Sequence, residues 1–114
     1  LSSGGKGRIE QLPNWGIERI HINQTDPVKE VNGQRSEKNT PHPFQADKKV
    51  RQAYNLLCDR KTIADTLYGP AGKATANWLT QPAVYNSPNT KWEFNIAAAE
   101  KLLDEAGWVK SGQY

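Results

Sequence analysis

A handful of positions carry the side chains from which chemistry could be built: His21, His42, Cys58, the Asp59-Arg60 pair, Asn23 and Trp78. The two histidines are the only ones in the chain, and no carboxylate or thiol stands near them at the close spacing that metal sites use. They are expected to be structural or surface residues. Cys58, the sole cysteine, has no partner for an intrachain disulfide and is expected to act as a small, buried, apolar-like side chain. Asp59 and Arg60 resemble an acid/base pair only superficially, because Arg stays protonated at any relevant pH and Asp59 is better placed to cap a helix. The nucleophile elbow, the HExxH and CxxC motifs and the phosphate loop are missing, and GGKG at residues 4–7 lacks the strand and spacing of a phosphate cradle. No catalytic residue, metal site or cofactor is therefore expected. Asn23 and Trp78 are the candidates for ligand contact. An Asn offers one donor and one acceptor to an extended peptide backbone, and an indole offers a flat apolar face with a single N–H. Each also has a plain structural reading, as a turn residue and as a core filler respectively.

Positioning such groups falls to three helices and a strand pair. Val50, Ala53, Tyr54 and Leu57 recur at i, i+3, i+4 and i+7, the spacing of one face of an α-helix, with Asp47 as its N-cap. This predicts a helix over about 47–58. A second follows over about 59–68, with Ile63, Ala64, Leu67 and Tyr68 as its buried stripe; Gly69 supplies a left-handed stop and Pro70 forbids continuation. A third is predicted over about 95–106, capped by Asn95, with Ala99, Leu102, Leu103 and Ala106 as its buried stripe. Gly107 ends it, Trp108 is placed to fold back on Leu103, and Asp104 and Glu105 sit unfavourably at the negative end of the dipole. Residues 8–12 and 17–23 read as short strands around the turn PNWG. Residues 24–46 read as loop, broken by Asp26-Pro27, Asn32-Gly33, Pro41 and Pro43. Residues 70–94 carry turn chemistry, a possible short strand at 77–79, and the aromatics Trp78, Tyr85, Trp92 and Phe94, which must either pack under their own loops or face a partner.

Three of these segments also share their wording with a known family. HPFQADKKVRQAYNLLCDRKTIADTLYG, NIAAAEKLLDEAGW and the upstream GIERIHIN occur in the order in which related motifs occur in the extracytoplasmic solute-binding proteins of ABC importers, of the peptide- and nickel-binding type. The chain is similar to that family over most of residues 8–108. Two departures are Cys58, where the family usually has a small or aliphatic residue, and VKEVNGQRSEKNT, which enlarges the loop before the main motif. The resemblance implies a parent α/β fold of the periplasmic-binding-protein-like type II class, of which this chain would be an α+β portion of one lobe spanning residues 8–114. Residues 1–7 would be a flexible lead-in or a cloning remnant. It further implies a periplasmic or otherwise extracytoplasmic receptor that captures a peptide or other small solute and delivers it to permease subunits in the membrane. The competing class is a small helical protein-interaction module with no transport role, in which Val50, Tyr54 and Leu57 or the loop aromatics face another protein.

Composition is compatible with either reading. At 114 residues the chain has the length of one domain, yet a hydrophobic share of 36% and a mean hydropathy of −0.81 are lean for a self-sufficient core. Together with its two long connections and the absence of Met, this leads to the expectation that the chain is part of something larger. Fifteen Lys and Arg against 12 Asp and Glu leave a formal charge of +3 without a concentrated basic stripe, so nucleic acid is not an expected partner. Lys48, Lys49 and Arg51 are expected on a solvated helix face. No apolar run approaches the roughly 18–20 residues that span a bilayer, so any membrane connection is expected to run through a partner.

Overall fold

A computed structural model describes residues 4–12 and 16–112. Its elements in chain order are β1 (Glu30–Val31), β2 (Gln34–Arg35), α1 (Lys48–Leu57), α2 (Arg60–Tyr68) and α3 (Ile96–Glu105), with single 3-10 turns at Gly69–Ala71 and Ala83–Tyr85. It is a small α+β arrangement of three helices and a two-stranded sheet. The chain forms two compact units, one drawn from Leu1–Glu18 and Arg60–Lys91, the other from Arg19–Asp59 and Trp92–Tyr114.

In the second unit α1 packs on α3. Asp47 caps α1 as expected, its Oδ1 accepting from the Lys49 N–H at 2.7 Å, and Asn95 caps α3, its Oδ1 accepting from the Ala98 N–H at 3.0 Å. Val50, Ala53 and Ala99 are the buried apolar residues among those described. Two alanines at the contact let the helix backbones approach closely, which is why so small a core can hold two helices together. The Asn95 N–H also donates to the Leu56 carbonyl at 3.0 Å, so the start of α3 satisfies an acceptor orphaned at the end of α1. Cys58 is correspondingly outside the helix, half-buried and with extended backbone, rather than in the last turn of α1.

At the far end of α3 the chain closes as its sequence predicts. Gly107 has φ +86°, its N–H donates to Asp104 and the Trp108 N–H donates to Leu103, the paired bonds of a Schellman ending. Glu105 does not stand as the uncompensated acid that the sequence suggested. Lys49 Nζ reaches its Oε2 at 3.0 Å across the helix pair. That ammonium, first by its hydrogen bond and then by its charge, holds the Glu105 carboxyl below its ordinary value. Arg51 is also more than a solvated charge: its Nη1 donates to the carbonyls of Gln45 and Ala46 at 2.9 and 2.6 Å and pins the turn that leads into α1. Of the three basic residues expected in solvent, Lys48 alone has no such tie among the described residues.

The sheet lies elsewhere than expected. Residues 8–12 and 17–23 are not strands; Ile9, Leu12 and Ile20 are 71%, 82% and 80% exposed, and the turn residues 13–15 fall outside the described part. Apolar side chains there meet no facing layer, and without one a strand has nothing to fix its register. Pairing instead forms inside the presumed loop, where Glu30 faces Arg35 and Val31 faces Gln34 in an antiparallel hairpin. Asn32 at φ +52° and Gly33 at φ +76° make the connecting turn type I′, whose twist suits two paired strands. The base of this hairpin is stitched by Asp26 N–H to Thr40 O at 2.7 Å, His42 N–H to Gln24 O at 2.9 Å and the Thr25–Pro41 bridge.

In the first unit Gly69 has the expected left-handed φ of +54° and Pro70 lies within the 3-10 turn Gly69–Ala71. The α2 stripe is not buried, however. Ile63, Leu67 and Tyr68 are exposed and Ala64 is half-buried, because little beyond the 3-10 turn packs on this helix. Residues 77–79 are irregular rather than a strand; Asn77 Oδ1 accepts from the Ser87 N–H at 2.9 Å and closes the intervening segment into a loop. Tyr68 Oη donates to Glu18 Oε1 at 2.9 Å, and that bond raises the tyrosine's pKa above its ordinary value.

Candidate ligand-binding surface

Asn23 lies at the foot of the hairpin and is exposed. Its Oδ1 accepts from both the Thr25 N–H at 3.1 Å and Thr25 Oγ1 at 2.7 Å. The acceptor half of the side chain is thus spent on a local turn, and Nδ2 has no hydrogen bond among the described residues. Trp78 belongs to the other unit, within the loop closed by Asn77 and Ser87, and is 62% exposed. It is not the core filler of the plainer reading. Tyr85, on the same loop, is 64% exposed, so this segment presents aromatic surface rather than packing it away. Each candidate is defined within its own unit.

A shallow apolar recess that the sequence did not single out lies in the second unit, with a volume of about 370 Å³, lined by Phe44, Tyr54, Leu103 and Trp108. Its walls come from the helix pair and the Schellman ending, and Phe44 meets Trp108 edge to face at 5.8 Å. Phe44 is in turn braced by His42, whose ring lies 4.3 Å away and whose Nδ1 accepts from the Phe44 and Gln45 N–H groups. His42 is therefore a structural histidine, as its isolation in the sequence suggested. The signal for the recess was present in the i+4 pairing of Leu103 with Ala99 and in the trailing Trp108; Phe44 gave none, because its partner lies far along the chain. Among the described residues no three His, Cys, Asp or Glu side chains converge on a point where a metal ion could sit.

Sequence comparison completes the picture. The family of bacterial extracellular solute-binding proteins, family 5 (middle region), matches residues 5–114. The chain belongs to that family. Its members are binding proteins by description, and the matched region contains the three ordered segments GIERIHIN, HPFQADKKVRQAYNLLCDRKTIADTLYG and NIAAAEKLLDEAGW. Proteins named ABC transporter peptide-binding proteins in Brucella ovis, Brucella abortus and Brucella melitensis are each 34% identical over 68 residues, covering 60% of this chain and 13% of theirs. The chain thus spans a small part of the length of the curated relatives it matches. No solved structure gives a significant match. No helix among the described residues of this family 5 chain is long and apolar enough to cross a membrane.

Proposed function

We propose that the chain forms part of one lobe of an extracytoplasmic receptor that captures peptides and delivers them to the membrane permease of an ABC importer. The observation that carries this reading is the family match over residues 5–114; the names of the Brucella relatives favour peptides as the solute class. The exposed apolar face of α2 and the bare Ile9, Leu12 and Ile20 are what a lobe displays when it normally continues into further structure. The mechanism is capture without bond chemistry. Two lobes close about a hinge, the cleft excludes water, and the ligand drives closure by binding the closed state better than the open one. Each unit offers its own candidate contact for this mechanism: Asn23 Nδ2 as a donor to a peptide carbonyl in one, and the exposed Trp78 indole as an apolar face for a ligand side chain in the other.

Isothermal titration against a mixed peptide pool tests the proposal on the longest reading frame that contains this chain and on residues 1–114 alone. The longer protein is expected to give saturable heat. Trp78→Ala in it should raise Kd about tenfold, the equivalent of roughly 1.4 kcal/mol. The 114-residue chain is expected to bind weakly or not at all. Low-micromolar binding by the short chain would overturn the half-clamp arrangement, and a longer protein indifferent to every peptide would overturn the receptor itself.

A further inference from the structure

Asparagine followed by glycine is prone to spontaneous ring closure, because glycine places no side chain in the path of its own nitrogen. Of the chain's asparagines, Asn32 is the one followed by Gly; the others precede Trp, Gln, Thr, Leu, Ser or Ile. The structure separates Asn32 from three of the others a second time. Asn23, Asn77 and Asn95 hold their Oδ1 atoms in hydrogen bonds to Thr25, Ser87 and Ala98, which restrain the side-chain amide. Asn32 has no side-chain hydrogen bond among the described residues and is exposed at the tip of the hairpin. Around Gly33 the space that a Cβ would occupy is open, with no atom within 4 Å. Only two residue pairs hold the hairpin tip, so the turn can open locally without disturbing the stitched base at Asp26, Thr40 and His42.

We propose that Asn32 is a site of non-enzymatic deamidation, at which the tip of the hairpin is covalently remodelled. The Gly33 nitrogen attacks Asn32 Cγ, an N–C bond forms, the Cγ–Nδ2 bond breaks, and the Gly33 proton leaves with the amide as ammonia. Water then opens the resulting succinimide at either carbonyl and yields aspartate or isoaspartate. Both products add one negative charge. The isoaspartate also lengthens the backbone by one carbon between Val31 and Gly33, which is incompatible with a two-residue type I′ connection and with the Val31–Gln34 register. The modified form therefore loses the hairpin tip while α1 and α3 keep their packing.

The test is a time course of the whole folded chain in mildly alkaline buffer, read by peptide mass spectrometry, with the urea-unfolded chain alongside. The expected result is the mass gain of amide-to-acid exchange concentrated in the peptide that contains Asn32, with both aspartyl isomers present, and no gain there in Asn32→Gln, whose ring closure would need six members. Amide resonances of residues 30–35 should shift as the product accumulates while those of α1 and α3 stay in place. If the unfolded chain gains mass at Asn32 and the folded chain does not, the hairpin protects the site and the proposal fails. It fails equally if the folded chain gains mass at several asparagines at similar rates.

Discussion

Single side chains in this protein are mostly occupied with finishing backbone, and their worth can be measured one at a time. Asp47→Ala and Asn95→Ala each remove a cap acceptor from an otherwise free helical N–H, so each should lower unfolding stability by about 1 kcal/mol in urea titration. Gly107→Ala must adopt φ +86° with a Cβ and should cost about 1–2 kcal/mol by the same measurement. Asp26 offers a pH signature. Its Oδ1 accepts from the Val28 and Lys29 N–H groups at 2.8 and 3.0 Å, and these bonds, with the Lys29 one the stronger influence, hold its carboxyl below the ordinary 3.8. A depressed carboxyl contributes stability that is fully present above 3.8 and disappears as pH falls through the lower native value. Acid titration of hairpin amide shifts should show this, and Asp26→Asn should flatten the dependence. The caps at Asp47 and Asn95 and the left-handed glycines were legible in the sequence because a cap or a φ is decided by neighbours in the chain. Arg51 was not, because a guanidinium on a polar helix face looks the same in sequence whether water or a carbonyl receives it.

Elements differ in how firmly they are held. The packed pair α1 and α3 buries Ala53 and Ala99 fully and is clasped by Lys49 and Glu105. Ala53→Leu should therefore overpack the contact and cost about 1–3 kcal/mol. By contrast α2 buries none of its own residues; Gly72 passes close to it, where an added Cβ would stand 2.5 Å from the Ala64 carbonyl oxygen. Hydrogen exchange should accordingly protect the amides of α1 and α3 far longer than those of α2, and equal protection of all three would contradict this ranking. Helix bounds were readable to within a residue or so because caps, stripe and stop all agreed at each end. The strand pair was misplaced because β-branched Ile17, Ile20 and Ile22 say only that a strand is acceptable, whereas pairing depends on a partner elsewhere in the chain. Asn32-Gly33 was the better signal, since its two left-handed residues write the hairpin turn locally.

For the molecule as a whole, exposed apolar residues outweigh buried ones: three apolar residues are buried among those described, while Ile63, Leu67, Trp78, Tyr85, Trp108 and Val109 remain open to solvent. Residues 1–114 should consequently self-associate or bind an apolar dye, and a sharp monomer peak in size-exclusion chromatography without dye binding would contradict that expectation. The sequence by itself determined the three helices, the caps of α1 and α3, the glycine stops and the family, because each rests on short-range spacing that survives without tertiary context. The tertiary structure decided which stripes are covered, which charges are paired and where the sheet forms. Those outcomes depend on residues far apart in the chain meeting in space, as Lys49 meets Glu105 and Phe44 meets Trp108, and no local pattern specifies such meetings.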